Sequence, residues 1–143
     1  MDNISHGKCI FLSKLDTDVA SSTYSTNRIQ IKIDGSRVAD AKDLMGVISR
    51  SMKFPDYFGW NWDALEECLL DLEWLPADVY DFYWETANTL LLSSPADFFM
   101  FVEVFASVSR EWHEKGKLFR LFVKDDYIFA NAKRMDTFAE LVE

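Results

Sequence analysis

FPDYFGWNWDALEECLLDLEWLP, residues 54–76, reads as a loop that runs into a helix. Pro55 and Gly59 interrupt regular structure before it, and Asn61 is the predicted N-cap. Placed at about 100° per residue, Leu65, Cys68, Leu69 and Leu72 share one side. Asp63, Glu66, Glu67, Leu70, Asp71, Glu73 and Trp74 share the other. The first set predicts a core-facing stripe, and the helix is expected to run to about Trp74 and end before Pro76. Four aromatics, Tyr57, Phe58, Trp60 and Trp62, fall within six residues. They cannot all enter a small core. Phe58 and Trp62 are expected beneath the loop, leaving Tyr57 and Trp60 as exposed anchors. Gly59 is expected to hold a backbone shape that other residues avoid.

The second side of the helix is the functional signal. A helix dipole favours acids in the first turn, which accounts for Asp63 and part of Glu66. It does not account for Glu67, Asp71 and Glu73, which approach the end where the dipole opposes them. Leu70 and Trp74 lie among these carboxylates. Apolar groups ringed by charge have the anatomy of an interface, with a merely solvated face as the alternative. The surrounding sequence extends the pattern. From Phe54 to Ser109 there are eleven acids, no base and no histidine; the remainder holds 13 acids against 15 bases, and the whole chain is −9. A field of one sign over a limited surface attracts and steers a partner of the other, so a basic protein is expected. Direct binding of nucleic acid is not expected: phosphate needs clustered Lys and Arg, and the net charge opposes it.

Outward from this stretch the chain alternates strands and helices. Arg28–Asp34 alternates apolar and polar residues before Gly35, a strand signal. Asp40 caps a predicted helix to about Met52 with Leu44, Val47, Ile48 and Met52 as its stripe. Val79–Trp84 reads as a second strand, and Glu85–Leu92 as a short helix or turn. Ser94-Pro95 opens a helix to about Lys115, stopped by Gly116. Leu118–Val123 reads as the third strand. Cys9–Leu12 suggests an edge strand, Asp16–Asn27 a loop, and Asp136–Val142 a short amphipathic helix. Three strands separated by helices predict an α/β unit with a three-stranded parallel sheet and right-handed crossovers.

At 143 residues the chain is expected to form one domain, residues 28–123, with extensions at 1–27 and 124–143. Cys9 and Cys68 do not make a disulfide framework, and Cys68, on the apolar helix face, reads as a buried free thiol. Neither a signal pattern nor an apolar run of about 18 residues is present, so a cytosolic protein without membrane contact is expected.

The run Pro55-Asp56-Tyr57-Phe58-Gly59-Trp60-Asn61-Trp62-Asp63-Ala64-Leu65, followed by Cys68-Leu69, resembles the signature of barstar-like ribonuclease inhibitors. The resemblance extends from the strand at Arg28 to the strand ending near Val123. It implies a three-stranded parallel sheet packed with helices, no cofactor, and 1:1 inhibition of a basic ribonuclease inside the producing cell. The helix and its loop would plug the nuclease active site. Tyr57 matches the family's loop tyrosine, Asp63 its helix-start acid, and Glu67 the acid that enters the phosphate site, where the family has Asp. Glu66 stands where the family has an aromatic residue, Leu70 where it has Thr, and Leu72 where it has Trp. A second acidic contact comes from the long helix before the last strand. Alignment from Gly116 assigns it to Glu111, the favoured choice; alignment on Val104-Phe105 assigns it to Ser107.

Two other classes are weighed against this. Asp63 and Glu67, one turn apart, have the spacing of paired catalytic carboxylates, but no nucleophile motif accompanies them. A divalent metal on the same pair would need further oxygen ligands. His6 is expected in a mobile N-terminus and His113 reads as a surface histidine, and no Gly-rich phosphate loop or Cys/His metal spacing occurs. An interaction or immunity module for a non-ribonuclease basic partner is the remaining alternative.

Overall fold

Three hydrophobic strands of seven residues each set the centre of the molecule. They are β2 (Arg28–Asp34), β3 (Val79–Glu85) and β4 (Leu118–Lys124), and they run parallel. The computed structural model describes residues 10–11 and 27–124. A short strand, β1 (Ile10–Phe11), pairs antiparallel with β4, so the sheet order is β1-β4-β3-β2. The expected three-stranded parallel sheet is present, and Ile10–Phe11, inside the run read as an edge strand, adds an antiparallel edge to it. The loop over Asp16–Asn27, apart from Asn27, and the helix over Asp136–Val142 lie outside the described residues, as does His6.

Among the described residues four α-helices pack with the sheet: α1 (Ala41–Ser51), α2 (Trp62–Asp71), α3 (Asn88–Ser93) and α4 (Pro95–Glu114). Strand alternation sends Ile31, Ile33, Tyr80, Phe82, Trp84, Phe119, Leu121 and Val123 into one buried cluster. The helices meet it with Leu44 and Ile48 of α1, Leu65 and Leu69 of α2, and Phe98, Phe101 and Phe105 of α4. The Phe105 ring lies 4.7 Å from Phe119 and 5.0 Å from Phe82, centroid to centroid. Gly35 is required where β2 ends, because a Cβ there would collide with the carbonyls of Glu85 and Thr86.

One acid of the middle stretch is not on the surface. Asp81 of β3 is fully buried, and in register it faces Gln30 on one side and Arg120 on the other. Arg120 Nε and Nη2 donate to its two oxygens at 2.7 and 2.8 Å, and Arg28 Nη1 donates at 2.8 Å. A buried carboxylate is tolerated only with such partners, and removing one partner from a pair of this kind costs roughly 3–5 kcal/mol.

Candidate partner-binding site

The cap and the apolar face of α2 decide which carboxylates reach water. Asn61 Oδ1 accepts from the Ala64 N–H at 2.7 Å, as expected for the N-cap. Leu65, Cys68 and Leu69 are buried. Docked in this way, the helix exposes Asp63, Glu67 and Asp71. Their spacing of four aligns them on one side, over about 12 Å at a rise of about 1.5 Å per residue. Glu73 is exposed just beyond.

Glu66 is half-buried, and its Oε2 accepts from Ser107 Oγ of α4 at 3.0 Å. Farther along the same pair of helices, Trp112 Nε1 donates to the Leu69 carbonyl at 2.9 Å. These bonds fasten α2 to α4, so the acidic row is presented by a fixed helix. Of the two α4 residues the sequence offered, Ser107 bonds to an acid of α2, while Glu111 stands one turn farther on and exposed.

Trp74 corrects the helical reading. The helix ends at Asp71, and Leu72, buried, adopts the left-handed conformation with φ 45°. Trp74 is half-buried, its Nε1 donates to the Met52 carbonyl at 2.9 Å, and its ring stands edge-on to Phe54. It fastens the end of α1 to the end of α2 and is not a free apolar group among the acids. Leu70 is likewise partly covered, packed against the core.

The loop reading holds for its four aromatics. Tyr57 is 72% and Trp60 49% exposed, Phe58 is buried and Trp62 half-buried. The two exposed rings serve different surfaces, however. Tyr57 lines an open concavity of about 280 Å³ with Phe58, Gly59, Glu67, Cys68 and Asp71. Trp60 is absent from it and lines neighbouring concavities with Lys42 and Arg50. The expectation for Gly59 is also corrected. The left-handed residue is Trp60, with φ 56°. Gly59 instead sits close to the helix start, where a Cβ would meet Asn61 Nδ2 at 3.4 Å and Ala64 Cβ at 3.5 Å.

The Tyr57 hydroxyl titrates above the ordinary tyrosine value. Loss of hydration is the first cause, followed by the negative charge of Asp71, of Cys68 once its thiol ionises at high pH, and of Glu73 and Glu67. The phenol is therefore a neutral hydrogen-bond donor and acceptor throughout the physiological range. With Glu67 and Asp71 beside it and Phe58 below, the concavity offers two acceptor carboxylates and an aromatic face. A cationic side chain, above all a guanidinium, uses both.

The family model for Barstar (barnase inhibitor) matches residues 29–124. The chain belongs to the barstar family. The match runs from β2 to the end of β4 and includes the loop, α2 and α4. Comparison with curated proteins gives no match. The barstar family is one of inhibitors rather than enzymes. Among the described residues, no group of three or more His, Cys, Asp or Glu is placed to hold a metal ion, and no helix is long and apolar enough to cross a membrane.

Sequence reasoning missed two features of this barstar-family chain. The Ser107–Glu66 bond depends on the register of α4 against α2, which no local pattern encodes. The Asp81 cluster did leave a signal: an acid inside Val-Tyr-Asp-Phe-Tyr-Trp, a strand otherwise wholly hydrophobic, marks a buried pair.

Proposed function

We propose that this protein inhibits a basic ribonuclease by inserting the Tyr57 loop and α2 into its cationic active site. The supporting observation is the row Asp63, Glu67 and Asp71, exposed along a helix that is pinned to the core and borders the Tyr57 concavity. A ribonuclease must concentrate positive charge where it holds phosphate, so a fixed array of carboxylates competes there with RNA. Fixing the array in advance reduces the ordering cost of association. Glu67, central in the row and at the edge of the concavity, is assigned the phosphate site. Asp63 and Asp71 flank it, and Glu66, held by Ser107, contributes charge at the rim. Glu111 is the exposed α4 acid available as a further contact. The complex is 1:1 and forms inside the cell that makes the nuclease.

The test is calorimetric titration against barnase and against any small basic ribonuclease encoded beside this gene, with RNA cleavage followed in parallel. Saturation at one inhibitor per nuclease with loss of cleavage is expected. Glu67→Gln should weaken the complex by roughly 2–5 kcal/mol, the cost of leaving a buried interfacial charge unpaired. Its melting temperature should not change, because Glu67 is exposed. Full-strength binding by Glu67→Gln would move the site elsewhere. Failure to inhibit any basic ribonuclease would leave a barstar-fold module for another basic partner.

A further inference from the structure

A second surface, opposite in charge to α2, surrounds Trp60. Lys32 of β2, Arg37 after it, and Lys42 and Arg50 of α1 line a concavity of about 480 Å³ with the Trp60 ring. Two others, of about 420 and 380 Å³, share the same ring and add Met45 and Lys53. Asp34 and Asp43 also line the first, and Asp56 lines the last; they keep their charge, Asp34 lying 3.9 Å from Arg37, and the five cations still outnumber the three acids. Asp34 accepts from the N–H and hydroxyl of Ser36, and Asp43 accepts from the Ala39 N–H. Among the described residues, Lys32, Lys42, Arg50 and Lys53 form no ion pair.

Two features of this surface run against local stability. Trp60 holds φ 56°, a conformation that costs a bulky residue about 1–3 kcal/mol. The strain leaves the ring half exposed, with Phe58 behind it at 5.4 Å between centroids. Gly46 lies in the interior of α1, where glycine is roughly 0.5–1 kcal/mol worse than alanine. A Cβ there would stand 3.1 Å from Arg50 Nη1, so the missing side chain is the space beside which the guanidinium rests.

We propose that this groove binds a nucleoside phosphate, with the base stacked on Trp60 and the phosphate held by Lys32, Lys42 and Arg50. An aromatic platform edged by cations is how single-stranded nucleic acid is held without sequence preference. An acidic peptide would use the cations and leave the ring idle. The proposal revises the expectation of no nucleic-acid contact, which rested on net charge and on bases scattered along the sequence. The fold gathers them. The overall charge of −9 still disfavours long polyanions, so the ligand is one to a few nucleotides, free or at a single-stranded RNA segment.

Fluorescence anisotropy of a labelled single-stranded RNA hexanucleotide in about 20 mM salt tests this. Binding is expected, with a log–log salt slope near −2, about 0.7 for each of three cations. Trp60→Leu and Arg50→Gln should each weaken it by about fivefold or more, the lower end for losing a stacked base. Gly46→Ala should raise the melting temperature and still weaken binding, which a purely structural glycine would not do. Glu67→Gln should leave RNA affinity unchanged, separating this groove from the nuclease-binding face. Displacement by AMP at equal nucleotide concentration assigns the groove to free nucleotides; displacement only by RNA assigns it to single strands. No binding in low salt, unaltered binding by Trp60→Leu, or displacement by poly-glutamate as effective as by RNA would each overturn the proposal.

Discussion

Cys68, 4% exposed on the buried side of α2, borders the Tyr57 concavity together with Glu67 and Asp71. Burial raises its thiol pKa first, and the charges of Asp71 and Glu67 raise it further. The thiolate, not the thiol, is the nucleophile, so this cysteine should be inert in the folded protein. In a Cys9→Ser background, iodoacetamide at pH 8 should modify Cys68 far more slowly in buffer than in urea. Equal rates would mean that the helix opens readily and that the acidic row is not fixed. The pH dependence of stability follows with a definite sign. The folded state favours the neutral thiol, so this contribution is complete below the unfolded value of about 8.5. It is lost as pH rises from there through the higher folded value, and across that window thermal stability should fall less steeply for Cys68→Ala than for the unsubstituted chain.

At the scale of the element, α2 is set by two terms of different size. Burying each of Leu65 and Leu69 contributes about 1.5–3 kcal/mol, whereas the Asn61 cap contributes about 1 kcal/mol. Asn61→Ala should therefore lower stability by about 1 kcal/mol in urea denaturation with an unchanged slope, and leave the helix docked. Only the first turn should fray, which weakens nuclease binding through Asp63 while Glu67 keeps its place. A loss several times larger would show that the Tyr57–Trp60 loop folds only on the capped helix. The start of this element was legible in the sequence because caps and apolar periodicity are local, and the same is true of α1, α4 and the three parallel strands. Its end was not. Nothing in Leu72-Glu73-Trp74-Leu75 signals a stop. The chain turns because Leu72 is buried in a left-handed conformation and Trp74 reaches the Met52 carbonyl, both tertiary effects. For the same reason the sequence offered either Ser107 or Glu111 on α4. The packed register bonds Ser107 to Glu66 and leaves Glu111 exposed, which describes how α4 meets α2 and not which residue meets a partner.

The whole molecule carries its charge asymmetrically, though not as the sequence count alone would have it. Asp81 is neutralised inside the sheet by Arg28 and Arg120, and Asp97 is engaged with the Ala41 N–H and the Ser94 hydroxyl. The acids left to project a field on the Tyr57 side are Asp63, Glu67, Asp71 and Glu73, all exposed, whereas exposed Asp56 lies beside Arg50, Lys53 and Trp60. Across the loop from Tyr57 to Trp60 the sign reverses, because Trp60 is bordered by Lys32, Arg37, Lys42 and Arg50. Under the proposed function, a basic nuclease approaching this molecule would be turned as well as attracted, drawn in by the acidic row and repelled from the neighbouring face by the cations. Steering of this kind acts before contact and is screened over about 10 Å in 0.1 M salt. Stopped-flow association with the nuclease should consequently slow by at least about tenfold between about 20 mM and 0.5 M salt, while dissociation changes little. Neutralising Lys42 and Arg50 together should flatten the orientation without removing the attraction, so the fast low-salt rate should persist in that variant. An association rate indifferent to salt would mean that the carboxylates act only after contact, through the desolvated pairs at Glu67, and that the polarity across the loop serves the cationic groove alone.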